Sequence, residues 1–300
     1  MSVVASAPGK VVLSGEYAVL DGAPAICMAV NRRAMATVGD SPDGRCRVAT
    51  PGREFSNGEK FHIVEAVCGS RPELTIELDT RAFAEDGAKL GIGSSAALTA
   101  ALVAALGGDV YVDALAAHRH LQGGSGSGVD VAAAVHGGLI EYRMRDASVN
   151  RLEWPTDLAI RFVWTGTSSS TKARLDRLSA SEGRSSRSEL RLAADDMADA
   201  WRLGDGARVL EAYVPYISVL RRFSVDHDLG IFDAGHEALT DAAGREGLVY
   251  KPAGAGGGDI GTLLGPDAVG LDAFIAANAG LVHTVLDCEL DRIGVTLEQP

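Results

Sequence analysis

Short apolar runs rich in β-branched residues alternate along this chain with longer segments whose apolar positions recur at helical spacing. Residues 3–6, 11–13, 24–30, 34–38 and 74–78 read as strands. A turn at Ala7, Pro8, Gly9 and Lys10 separates the first two, and Asn31, Arg32 and Arg33 separate the next pair. Residues 61–67, 95–106, 111–121 and 131–135 read as helices, and 138–143 with 150–154 as a hairpin. Composition shifts at residues 155–157. Beyond it come a strand at 158–164, a polar loop at 165–172, helical patterns at 186–203, 206–223 and 231–243, strands at 247–250 and 260–264, a helix at 271–279 and an amphipathic end. The pattern predicts two domains, 1–155 and 156–300, the second a small split βαβ layer.

Composition narrows the class. With 46% apolar and 23% charged residues in 300, the chain is that of a folded protein rather than a disordered one. No apolar run reaches the ~18 residues that span a bilayer, and the N-terminus lacks the basic and apolar segments of a leader, so a cytoplasmic protein with no membrane partner is expected. A net charge of −12 repels phosphate backbones and argues against nucleic acid, while a small anionic ligand in a locally cationic pocket is still allowed. The mixed charges of residues 181–191 read as a solvated helix face. Cys27, Cys46, Cys68 and Cys288 have no C-x-x-C spacing and read as buried thiols.

Three glycine-rich loops carry the candidate chemistry. In the first, Gly91 and Gly93 let the backbone pass close to a ligand, and the free amides of the following helix aim positive partial charge at it. Ser94 and Ser95 add hydroxyls that suit phosphate oxygens or a metal, although serine is also an ordinary helix cap. The second loop, residues 122–128, opens onto a helix whose first turn holds Asp130, either a carboxylate satisfying the helix dipole or a group facing the reaction. The third, residues 251–259, lies between two strands and ends in an acid, a poor place for a floppy linker. Gly91, Gly93 and Ala96 also imitate a dinucleotide fingerprint, but no strand runs directly into Gly91, and no G-x-x-x-x-G-K-[ST] occurs.

Residues 7–11 with Gly15-Glu16-Tyr17-Ala18-Val19-Leu20, then Lys89-Leu90-Gly91-Ile92-Gly93-Ser94-Ser95-Ala96-Ala97, then residues 251–259 resemble, in order and spacing, the three signature motifs of the GHMP kinases. Within that family the motifs look most like those of the phosphomevalonate kinases; the mevalonate kinases, which typically carry a histidine where Tyr17 stands, come second. The resemblance implies a two-domain α+β fold, with a ribosomal-S5-like N-terminal domain, a ferredoxin-like C-terminal domain and the active site in the cleft. It also implies phosphoryl transfer from ATP, with Mg²⁺, to a small anionic isoprenoid precursor in the mevalonate route, by a monomer or homodimer. Carried over, Lys89, Gly91, Gly93, Ser94, Ser95 and Ala96 would hold ATP, Ser95 lying near the metal. Lys10 would stabilise the transferring phosphoryl group and Asp130 would face the acceptor. Glu16, Tyr17, Ser127, Ala253, Gly254, Ala255 and Gly256 would border the substrate. One departure stands out: where several family members place a magnesium-binding glutamate, this chain has His118, Arg119 and His120. An oxidoreductase would need a strand entering Gly91, and a non-catalytic relative would be expected to have lost Lys10 or Asp130.

Overall fold

A computed structural model describes residues 2–44, 46–50, 53–55, 62–69, 72–85, 87–124, 126–169, 171–180 and 185–298. Residue 61 of the expected first helix, Ser125 and Ser170 of the expected loops, and residues 181–184 of the charged stretch lie outside the described residues.

The chain opens with β1 (Val3–Ser14), a short 3-10 turn (Ala18–Asp21) and β2 (Ala25–Asp40). Both expected breaks vanish: residues 7–10 continue β1, and 31–33 continue β2. Pro8 pairs with Arg33 and Gly9 with Val30, so Pro-Gly makes an irregular step in the ladder instead of a reversal. Gly9 is needed for proximity, since a Cβ there would sit 2.8 Å from the Ile92 carbonyl oxygen. The polar triplet is satisfied by the C-terminal segment: Asn31 Oδ1 accepts the Glu289 amide at 2.9 Å, and Arg33 pairs with Asp291.

There follow β3 (Arg47–Thr50), β4 (Arg53–Phe55), α1 (His62–Cys68), β5 (Leu74–Asp79), and a two-stranded ribbon of β6 (Ala84–Glu85) and β7 (Ala88–Lys89). This ribbon, and not a parallel strand, precedes Gly91, which removes the dinucleotide reading. Next come α2 (Ser94–Leu106), α3 (Val110–Leu121), α4 (Val129–His136) and the hairpin β8 (Leu139–Arg143) and β9 (Ser148–Leu152). Every residue of α2 from Ala96 to Ala105 is buried, so it has no solvent face. It packs on β1 and β2 and is flanked by α3 and α4. Small alanines let the sheet approach closely, and that approach sets the α2 N-terminus beside Lys10.

The second half contains β10 (Ala159–Trp164), α5 (Thr171–Ala180), α6 (Ser185–Leu203), α7 (Gly206–Asp226), α8 (His236–Arg245), β11 (Val249–Pro252), β12 (Ile260–Gly265), α9 (Ala268–Ala277), β13 (Thr284–Leu286) and β14 (Thr296–Glu298). Strands order as β11-β12-β10-β13, all antiparallel, giving the α+β character expected. The expected amphipathic end is instead two short strands, of which β14 returns to pair with β1 in the first sheet. Helix α5 replaces the end of a predicted loop; its few apolar residues, Leu175 and Leu178, give too weak a stripe to read. Helix α8 starts later than expected, after a turn ending at Gly235. No disulfide joins the described cysteines; Cys27 and Cys46 are buried, and Cys68 and Cys288 are partly so. No described helix is long and apolar enough to cross a membrane.

Candidate active site

At the start of α2, Gly93 adopts a left-handed conformation (φ 83°) and no side chain caps the helix. The first-turn amides are therefore open to an anion. Ser95 is exposed, Ser94 half-buried, and Ala96 buried beneath them so that only its backbone can contribute. A Cβ on Gly93 would lie 3.1 Å from Lys10 Cγ, and one on Gly91 would overlap the Asp259 side chain at 2.3 Å. The loop is fastened to β1 by the Lys10 amide, which donates to the Ile92 carbonyl at 2.8 Å. Lys89 stands exposed at the end of β7, where its carbonyl accepts a long bond from Ser168 Oγ at 3.4 Å.

Helix α4 brings Asp130 up to Lys10 from the other side. Lys10 Nζ lies 3.7 Å from Asp130 Oδ1, the two side chains being 12% and 29% exposed. Burial pulls the Lys10 pKa down, but the carboxylates of Asp130 and Asp259 outweigh it, and the net displacement is upward. Lys10 is therefore an ammonium at neutral pH. Beneath it Cys27 stays a thiol, pushed up to about 12 by burial. Burial also raises Asp259, against the opposing pull of the Ser169 amide, Lys10 and Arg174.

Lys10 and Asp130 help line an open cleft of about 720 Å³, a volume that includes the solvent at its mouth. Its walls include Tyr17, His118, Ser127, Gly254 and Ala255. Tyr17 carries a strained backbone (φ 61°) and donates its hydroxyl to the Ala255 carbonyl at 2.6 Å. That bond ties the first motif to the third glycine loop. Ser127 accepts the Tyr142 hydroxyl at its carbonyl (2.7 Å). Glu16 lines the cleft, yet its carboxylate turns away from it. Oε1 meets Lys251 Nζ at 2.7 Å, and Oε2 accepts the Tyr216 hydroxyl at 2.9 Å. Of the third loop, Gly254 and Ala255 reach the cleft, whereas Ala253 pairs back to Ile260 and the Gly256 carbonyl accepts Ser169 Oγ at 2.8 Å.

Several residues gave no sequence signal. Arg174, on the unexpected helix α5, donates to the carbonyls of Leu229 (3.0 Å) and Gly257 (3.3 Å) and to Ser169 Oγ (2.8 Å), holding the third loop in shape. Tyr216 of α7 reaches across to Gly15 and Glu16. Asp259, visible in sequence only as the acid ending a glycine run, proves to rest on Gly91 of the first loop. Among the described residues no three His, Cys, Asp or Glu side chains converge as a ready-made cation cage. Magnesium commonly keeps one or two protein oxygens plus substrate phosphates, a demand that the exposed Ser95 hydroxyl beside an anion seat can meet.

No protein-family model matches the chain. It is 32% identical to the phosphomevalonate kinase of Streptomyces sp. (strain CL190), over 88% of this chain and 90% of that protein. It is 28% identical to the mevalonate kinase of Thermococcus sibiricus, over 99% of each. Its fold superposes with a TM-score of 0.80 on Streptococcus pneumoniae phosphomevalonate kinase solved with phosphomevalonate and AMPPNP, at 19% identity and covering 97% of this chain and 99% of that one. A second motif loop lying against Lys10 and Asp259 of the first and third, on this fold and with these relatives, places the chain in the GHMP kinase family, as a phosphotransferase of the mevalonate-route group.

Proposed function

We propose that the protein transfers the γ-phosphoryl group of ATP to the phosphate of phosphomevalonate, giving diphosphomevalonate. The observation that carries this reading is the position of Lys10. One lysine lays its aliphatic stem against Gly93 of the anion seat and holds its ammonium 3.7 Å from Asp130 in the wall of the acceptor cleft. A charge at that junction is where a phosphoryl group in flight needs it.

The open amides of α2 and the hydroxyls of Ser94 and Ser95 hold the triphosphate, with Ser95 as the protein's metal-facing oxygen. When bound, Mg²⁺ neutralises phosphate charge and orients the β- and γ-phosphates. Lys10 stabilises the charge spread over the transferring group, a preorganised contact that costs no rearrangement during reaction. A terminal oxygen of the acceptor phosphate forms the new bond to γ-phosphorus, the bond from γ-phosphorus to the bridging oxygen breaks, and ADP leaves. That nucleophile is already largely ionised, with a second pKa of about 6, so no proton has to be removed. Asp130 fixes the Lys10 ammonium and orients the acceptor. Tyr17, Ser127 and the backbone of Gly254 and Ala255 border it, while Glu16 supports the wall from behind.

Mevalonate is the second reading, supported by the full-length relationship to the Thermococcus sibiricus enzyme. A coupled ADP-release assay with phosphomevalonate, mevalonate, mevalonate 3-phosphate, homoserine and galactose separates the two. Phosphomevalonate should give the highest kcat/KM. Preference for any other acceptor overturns the assignment.

A further inference from the structure

Two histidines are deeply buried in chemically opposite settings. His236, fully buried, has both ring nitrogens engaged: Nδ1 with the Tyr250 hydroxyl at 2.9 Å and Nε2 with the Gly258 carbonyl at 3.0 Å. It is a structural tie, and burial holds its pKa down to about 4. His118, only 3% exposed, forms part of the wall of the acceptor cleft, and its Nδ1 is buried without a hydrogen-bond partner among the described residues. Because Nδ1 is closed off by its neighbours, a ligand in the cleft can meet the ring only through Nε2.

The surroundings define that ligand's charge. The charged groups acting on His118 are Asp130 from α4 and Lys10 from β1. Helix α2, packed against α3, carries no titratable side chain, and on α1 His62 and Glu65 face each other at 3.7 Å. Burial, first, and the Lys10 charge hold His118 neutral against the pull of Asp130. A neutral imidazole offers one N–H, and a phosphate dianion arriving beside Lys10 both accepts that N–H and favours a second proton on the ring. The unphosphorylated acceptor brings no such charge. Resting on the phosphomevalonate reading above, we propose that His118 is the specificity residue of this site: it donates a ring N–H to the acceptor's phosphate and takes up a proton as that phosphate enters.

Calorimetry at about pH 7.5, well above the phosphate's second pKa of about 6, tests this in two buffers of different ionisation enthalpy. Phosphomevalonate binding to the wild-type enzyme should show net proton uptake, and mevalonate should show none. The substrate's own response is of opposite sign, because a phosphate drawn beside Lys10 sheds its residual proton, so uptake identifies the protein. His118→Gln and His118→Asn should abolish the uptake and raise KM for phosphomevalonate by about 10-fold or more, the worth of a hydrogen bond to a charged group. In both, kcat should change less than KM, and KM for mevalonate should hardly move. Wild-type binding without proton uptake overturns the proposal with no variant needed. Equal rises in KM for both acceptors also overturn it, reducing His118 to a wall residue. If phosphomevalonate does not bind the wild type at all, the functional assignment falls and takes this inference with it.

Discussion

Two lysine–carboxylate pairs join the first motif to later glycine loops, and they could hardly differ more. Lys251 and Glu16 touch at 2.7 Å, with the lysine wholly buried and the glutamate side chain 3% exposed. Lys10 and Asp130 stand 3.7 Å apart, and both remain reachable from the cleft. The first pair has no room for another partner, and Tyr216 takes the remaining glutamate oxygen. The second is held close enough for each charge to orient the other, yet both charges stay open to the cleft, where a third group can meet them from the side. Charge type is the same; packing decides which pair is sealed as a brace and which one stays open to the cleft.

That contrast is broken most forcefully at the dry pair. Lys251→Met strands an uncompensated buried carboxylate, which should cost about 3–5 kcal/mol of stability. Adding Glu16→Gln to Lys251→Met should recover most of that loss, because removing both charges of a buried pair is often close to neutral. Urea unfolding of the single and double variants measures it. A single variant as stable as wild type would mean that the pair braces nothing.

Lys10→Met should behave in the reverse way. Its ammonium acts on the reacting group, so kcat should fall by roughly 10²-fold with a smaller change in KM, while the unfolding midpoint stays near wild type. Lys10→Arg should not restore the rate, because a planar fork does not replace a compact ammonium. A variant that loses stability instead of rate would make Lys10 a second brace.

A smaller effect is expected where the reactive pair touches the anion seat. Gly93 has φ 83° and lies against Lys10. Gly93→Ala should cost about 1–2 kcal/mol in local conformation and weaken ADP binding by roughly tenfold, measured by calorimetry with magnesium present. Unchanged ADP affinity in a folded variant would remove this loop from the nucleotide site.

Much of the site was legible because glycine and lysine announce themselves in sequence. Local rules read Gly91 and Gly93 as a close approach before an open helix start and put Asp130 in a first helical turn, but only the fold shows that Asp130 stands beside Lys10. The direction of Glu16 was not legible, since its partners Lys251 and Tyr216 lie some 200 residues away and only the fold reveals that its carboxylate turns outward from the cleft. Arg174 escaped for a different reason. Its helix has so thin an apolar stripe that periodicity reads it as loop, and the surface it packs on comes from distant segments. The Pro-Gly pair misled because local turn chemistry was overruled by a long partner strand, which absorbed the irregularity as an uneven step in the ladder. The C-terminal strands were hidden by brevity, as three residues apiece, paired to β10 and to β1, carry no pattern of their own.

The finest test sets the two carboxylates against each other. Glu16→Gln should act through stability, lowering it by leaving the buried Lys251 ammonium without its partner, with little effect on the pH dependence of rate. Asp130→Asn should act through the reaction, and its cost should report the acceptor's chemistry. A hydroxyl nucleophile must lose a proton during attack, so with mevalonate the loss should be severe at all pH values. A phosphate oxygen needs no base once ionised; with phosphomevalonate the loss should shrink as pH rises above the second pKa of about 6, leaving only a few-fold orienting effect by about pH 8. The expected sign is therefore a variant-to-wild-type rate ratio that climbs from pH 5.5 to 8 with phosphomevalonate and stays flat with mevalonate. The same profile measured on Glu16→Gln should be flat with both. A severe, pH-independent loss for Asp130→Asn with phosphomevalonate would show that Asp130 acts as an obligatory base, and the loose pair would then owe its spacing to proton transfer rather than to orientation.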